Sequence, residues 1–151
     1  VTNSIELRQL GLEDMDSAAN IHRVAFDRQM PWLAGLHTPQ EDQWFYRERV
    51  FPNCFVWGAS ENGALVGFIA FQNGWIDQLY VLPAAQGKGI GTALLDIAKA
   101  KSEHLSLWTF QRNSTANFFY KKRGFIATKR TDGMDNEERE PDVLYVWDPE
   151  H

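Results

Sequence analysis

The sequence predicts one mixed α/β domain over residues 1–151, an α+β mixed sheet with elements in the order β-α-α-β-β-β-α-β-α-β-β. Three observations carry that prediction. A short alternating stretch gives way to a period of about 3.6 residues between Leu12 and Phe26. Asn62-Gly63 and Asn73-Gly74 then divide three apolar runs into a meander, since both pairs suit the positive φ of tight hairpin turns. Finally QGKGIG, residues 86–91, separates a strand from a helix followed by a further strand, the pattern of a right-handed parallel strand-helix-strand unit.

Taken in order, SIELRQLG reads as an imperfectly alternating strand, and Met15, Ala18, Ala19, Ile21, His22, Ala25 and Phe26 form one face of the first helix. DRQMPWLAGLH is irregular and aromatic and reads as a loop outside the core. The second helix runs from Pro39 to Val50. Thr38 is placed to cap it, Pro39 suits its first position, and Glu41 completes a capping box. CFVWGAS, ALVGFIAFQ and WIDQLYV are the meander strands. A helix from Gly89 to His104 follows the glycine loop, then the strand LSLWTF and a short helix in NSTANFFYKKRGF. Lys121, Lys122 and Arg123 in its last turn answer the negative helix end, and Gly124 permits a left-handed terminus. FIATKR and VLYVW close the chain around the acidic loop TDGMDNEEREPD.

Composition limits what such a domain does. The 151 residues, 44% hydrophobic and 13% aromatic, suffice for one core, and there is no repeat or low-complexity tract. No stretch approaches the roughly 18 apolar residues of a membrane span. VTNSIELRQL lacks a basic region followed by an apolar run, so a soluble, cytoplasmic protein without a membrane partner is expected. The single cysteine, Cys54, permits no internal disulfide and no cysteine-cluster metal site. His22, His37 and His104 show no metal spacing, so no metal is expected. A net charge of −5 disfavours nucleic acid, whose binding relies on Lys and Arg, and suits cationic partners.

The glycine loop tests three phosphate-binding patterns. No Gly-Lys-Ser/Thr ending exists for a P-loop, and Gly87, Gly89 and Gly91 are separated by single residues instead of following G-x-G-x-x-G. What remains is Gln86-Gly87-Lys88-Gly89-Ile90-Gly91-Thr92 between a strand and a helix. Glycines let the backbone approach a ligand, and the first-turn N–H groups and the helix dipole favour an anion such as a pyrophosphate. Gln86, Gly89 and Gly91, preceded by LYVLPAA, together with NFFYKKRGF, resemble the motifs of the GNAT superfamily of acyl-CoA N-acyltransferases. Their order and the element order match that family over essentially the whole chain.

The resemblance implies a GNAT fold with a splayed pair of parallel strands, WIDQLYV and LSLWTF, and acetyl-CoA as co-substrate. It implies that Leu79, Tyr80 and Val81 offer backbone groups to the pantetheine and thioester. Gln86, Gly87, Lys88, Gly89, Ile90, Gly91 and Thr92 would cradle the pyrophosphate, Asn113 would contact the pantetheine arm, and Tyr120 would stand beside the thioester sulfur. The reaction implied is acetyl transfer to a primary amine by direct attack in a ternary complex. An alkylammonium has no lone pair, so the amine must lose a proton, and the thiolate leaves more readily once protonated. Tyr120 is the candidate acid and Asp77 the candidate base. Each also has a plain reading, as an apolar-face aromatic and as the polar side of a strand. Cys54, at the start of an apolar strand, reads as buried and inert. Met30, Trp32, His37 and Glu137 are candidates for the acceptor site, in the segments that shape it in the family. A small amine, a protein lysine and an N-terminal amine all stay open as acceptors. So do a non-catalytic acyl-CoA-binding or sensing module, an interaction domain using Trp32, Trp44 and Phe45, and the choice between monomer and homodimer.

Overall fold

The computed structural model describes residues 4–150. Its strands are β1 (Ile5–Gln9), β2 (Phe55–Glu61), β3 (Ala64–Gln72), β4 (Trp75–Val81), β5 (Leu105–Phe110), β6 (Ile126–Thr131) and β7 (Asp142–Trp147). The helices are α1 (Met15–Gln29), α2 (Pro39–Phe45), the single turn α3 (Phe51–Asn53), α4 (Ile90–Ala100) and α5 (Ser114–Lys122). One mixed sheet has the order β1-β2-β3-β4-β5-β7-β6, so β7 is inserted between β5 and β6.

Local chemistry sets most boundaries. Thr38 Oγ1 accepts from the Glu41 N–H at 3.1 Å while Glu41 Oε1 accepts from the Thr38 N–H at 2.7 Å, which is the capping box the sequence predicts. After Phe45 the helix widens into a π turn, Tyr46–Val50, that buries Tyr46 and Val50. Both hairpins turn through positive φ, at Asn62 and Gly63 and at Asn73 and Gly74. Two expectations are corrected. α1 continues to Gln29 because Met30, wholly buried, anchors its end through a 2.8 Å bond from its N–H to the Phe26 carbonyl. α4 stops at Ala100, and His104 lies beyond it against Gly74, where a Cβ would come within 2.7 Å of the imidazole.

The sheet separates two apolar layers. Ile69, Phe71 and Ile76 pack with Leu94 and Leu95 of α4 and with Tyr120 of α5. On the other face Val56, Phe68 and Ala70 pack with Met15, Ala18 and Ile21 of α1 and with Tyr46. The parallel pairing of β4 with β5 is confined to Trp75 opposite Ser106. Beyond that pair the two strands diverge, and the opening positions the site. Among the described residues no helix is long and apolar enough to cross a membrane, and no group of three or more His, Cys, Asp or Glu is placed to hold a metal ion.

Candidate active site

The divergence of β4 and β5 opens a cleft of about 370 Å³. β4 contributes Ile76 through Val81, β5 contributes Leu107 through Thr109, and α5 contributes the face of Ala116, Phe119 and Tyr120, with Lys122 in its last turn. The Leu82 N–H donates to Val66 of β3 at 2.8 Å. Successive N–H groups of an extended chain point to opposite sides, so the Val81 N–H faces away from β3, toward the opening. Gln86 Nε2 donates to the Val81 carbonyl on the same side at 3.1 Å and ties the glycine loop to the end of β4.

The loop fits an anion. Gly87 and Gly89 have φ of 79° and 81°, and a Cβ on either would meet nothing within 4 Å, so the space before them is open. Gly89 caps α4 without a side chain, leaving the N–H groups of Ile90, Gly91 and Thr92 without intrahelical partners. Gly91 serves packing instead: a Cβ there would lie 3.1 Å from the Phe119 ring. Lys88 is drawn away to Glu61 at 2.9 Å and does not line the cleft; Lys122 and Arg123 supply its positive charge. Arg123 is held by Thr92 Oγ1 at 2.8 Å and lies over the Phe119 ring at 3.9 Å.

Tyr120 is 7% exposed, flanked by Phe119, Phe125 and Tyr145. Burial raises its phenol above the ordinary range, so it keeps its proton. Its hydroxyl has no hydrogen-bond partner among the described residues, and the residue lines the cleft. Asp77 is the extra residue of a bulge, since Ala70 pairs with Gln78 and Phe71 with Ile76. Its Oδ2 accepts from Gln72 at 2.8 Å and from Cys54 Sγ at 3.3 Å. Burial, reinforced by the Asp77 charge, pushes the Cys54 thiol up to about 12, which leaves it a poor nucleophile. Asn113 caps α5 through its side chain and is itself buried.

A second cleft of about 620 Å³ lies between α1, α2 and the β6–β7 loop. Its walls are aromatic, with Phe26, Trp44, Tyr46 and Phe110. Its charges are Glu41, Asp42, Glu137 and Glu138 against Arg23, and the His37 imidazole also lines it. Arg23 grips Asp42 with two bonds of 2.8 and 2.9 Å and pins α1 to α2. His37 Nε2 lies 2.9 Å from Glu137 Oε1, bringing these two candidates together at the rim. The two clefts share Gln78 and Tyr80 of β4 as lining residues.

Met30 and Trp32 do not wall this cleft, contrary to expectation. Met30 is core, packed with Phe26 and Leu33. Trp32 is part of a clamp: its Nε1 donates to Glu140 at 3.0 Å, and Arg112, over its ring at 4.3 Å, donates to both Glu140 oxygens at 2.8 and 2.7 Å. Glu140, a member of the acidic loop, is only 3% exposed. His22 was legible only as a helix-face residue. Its ring stacks on Tyr80 at 4.4 Å, its Nδ1 is 2.5 Å from Tyr46 Oη, and burial pushes it down to about 4, so it is neutral. Its position on the helical repeat was visible; its partners, on the π turn after α2 and on β4, were not.

A family model described as an acetyltransferase (GNAT) domain matches residues 52–127. The peptidyl-lysine N-acetyltransferase YiaC of Escherichia coli is 34% identical over 80 residues, which is 52% of this chain and about half (55%) of that protein. The solution structure of the apo form of YjaB from Escherichia coli superposes with a TM-score of 0.79 at 25% identity, covering 95% of this chain and 97% of that one. The PaiA N-acetyltransferase of Thermoplasma acidophilum, solved in complex with coenzyme A, superposes with a TM-score of 0.72 at 23% identity, covering 96% and 99%. With its splayed strands, open glycine loop and buried tyrosine, the chain belongs to the GNAT acetyltransferase family.

Proposed function

We propose that the domain transfers the acetyl group of acetyl-CoA to the side-chain amine of a peptidyl lysine, by direct attack in a ternary complex. The observation that carries this reading is the meeting of two clefts of opposite character at Gln78 and Tyr80. One offers uncapped N–H groups with Lys122 and Arg123, suited to a pyrophosphate. The other offers carboxylates and aromatic walls, suited to an alkylammonium on an apolar stem. The name of YiaC, a peptidyl-lysine N-acetyltransferase, supports the choice of acceptor.

Within this reading the chain's own groups divide the work. Gln86 through Thr92 hold the pyrophosphate through the main chain, and Leu79, Tyr80 and Val81 align the arm along β4. The Val81 N–H meets the negative charge that grows on the thioester oxygen, a contribution of about 2.7–4 kcal/mol for one such donor. Asp77, with Oδ1 free of its Cys54 and Gln72 bonds, takes the amine proton through water. Tyr120 returns a proton to the departing sulfur. His37 and Glu137 stand at the acceptor entrance. Cys54 lines neither cleft and keeps its proton, which supports direct attack over a cysteine-bound acetyl group.

The test is thiol release from acetyl-CoA with lysine peptides, free polyamines, amino acids and N-terminal amines as acceptors, beside calorimetric CoA binding. Turnover with lysine peptides above the other amines is expected. Turnover confined to small amines overturns the acceptor, and CoA binding without any turnover overturns the enzymatic reading.

A further inference from the structure

A chain of amides runs from α5 to α1, and its polarity follows from elementary donor and acceptor rules. The Ala116 backbone N–H can only donate, and it takes Asn113 Oδ1 at 3.1 Å. The other side of the Asn113 amide, Nδ2, can also only donate, and it reaches Gln29 Oε1 at 2.9 Å. Gln29 must therefore turn its oxygen to Asn113, and its Nε2 is left as a donor. That nitrogen has no hydrogen-bond partner among the described residues, and Gln29, the last residue of α1, lines the cleft between β4 and β5. Asn113, only 6% exposed, uses its oxygen for the helix cap and one N–H of its Nδ2 for Gln29.

We propose that Gln29 Nε2 is a binding group of this cleft that donates to a carbonyl oxygen of the acyl-pantetheine arm, with Asn113 acting as the residue that orients it. The proposal rests on the assignment of the cleft to acetyl-CoA. The arm carries amide carbonyls and a thioester carbonyl, and each loses water on entering between the strands. A carbonyl that enters without a donor keeps the cost of that desolvation, and a donor held in one orientation by a buried neighbour removes it.

Gln29→Glu separates binding from architecture. A carboxylate at that position still accepts from Asn113 Nδ2 and has nearly the same volume, but it replaces the cleft-facing donor with an acceptor. Affinities for acetyl-CoA, CoA and adenosine 3′-phosphate 5′-diphosphate, which lacks the arm, are measured by calorimetry with Tm on the same preparations. The expected result is a loss of acetyl-CoA affinity of about 10- to 100-fold, with an unchanged nucleotide affinity and Tm. A matching loss for CoA assigns the bond to an amide carbonyl; a loss for acetyl-CoA alone assigns it to the thioester. Acetyl-CoA affinity within about twofold of wild type overturns the proposal, as does an equal loss for all three probes. Should Gln29→Glu lower Tm, Gln29→Met, which carries neither polar atom, decides by the same comparison of ligands. Failure of the wild-type chain to bind CoA is a different result and overturns the assignment of the cleft itself.

Discussion

Tyr120→Phe removes one oxygen from the candidate site. The ring is packed against Phe119, Phe125 and Tyr145 at centroid distances of 5.1, 5.3 and 6.3 Å, and phenylalanine keeps those contacts. Because the hydroxyl has no partner among the described residues, its loss strands no buried group, and stability should change by less than about 0.5 kcal/mol. The catalytic cost is of another size. General acid assistance contributes about 100- to 10,000-fold, equivalent to about 2.7–5.5 kcal/mol in the barrier. The assay is steady-state kcat for a lysine peptide, with acetyl-CoA affinity by calorimetry and Tm by thermal unfolding. The variant should lose kcat by at least about 100-fold while affinity and Tm stay near wild type. Since burial raises the phenol above its ordinary value of 10.0, wild-type activity should show no loss from Tyr120 ionisation until the pH exceeds that value. A Phe variant whose kcat stays within about threefold of wild type at every pH removes Tyr120 from proton transfer.

Gly89→Val meets no steric obstacle at Cβ but forces a β-branched residue to φ of 81°, at about 1–2 kcal/mol, and shifts the first-turn N–H groups. Acetyl-CoA affinity should fall at least about tenfold, and undiminished binding would remove the loop as the pyrophosphate site. Arg112 holds the Glu140 carboxyl below its ordinary 4.5, so the native state binds that proton less readily than the unfolded chain. The clamp's stabilisation is therefore present above about 4.5 and fades as the pH falls through the lower native value. Glu140→Gln should lower Tm at neutral pH and converge with wild type in acid, and a Tm difference independent of pH would contradict the ion pair. His22 titrates near 4 instead of 6.5, so the unfolded chain binds more protons between those values and stability falls as the pH drops across that window. His22→Gln, which keeps a partner for Tyr46, should flatten this limb of a denaturant-midpoint profile; an unchanged slope would place the titration elsewhere.

Legibility in the sequence tracked the distance over which a residue acts. The capping box joins Thr38 to Glu41, three residues apart, and each hairpin turn is an adjacent Asn-Gly pair, so local conformational preference suffices to reveal them. The glycine loop belongs to the same class, because positive φ and uncapped N–H groups are properties of consecutive residues. Its Lys88 does not: the side chain answers to Glu61 on another strand. Met30 and Trp32 were misplaced because an aromatic, irregular segment reads alike whether its side chains turn outward or inward. Burial of Met30 beside Phe26 and Leu33 is a decision of packing.

By itself the sequence determined the element order and the glycine loop at the head of α4, since both rest on backbone preference or helical and strand periodicity, whereas Tyr120 was singled out by the resemblance to the GNAT family. The tertiary structure alone decided the insertion of β7 between β5 and β6, the second cleft between α1, α2 and the β6–β7 loop, the burial of Glu140 and the bond between Asn113 and Gln29. Asn113 meets Gln29 across 84 residues and Trp32 meets Glu140 across 108. Contacts at such separations form only when the sheet brings distant segments together and removes water from between them, and no periodicity along the chain encodes which side chain will be waiting there.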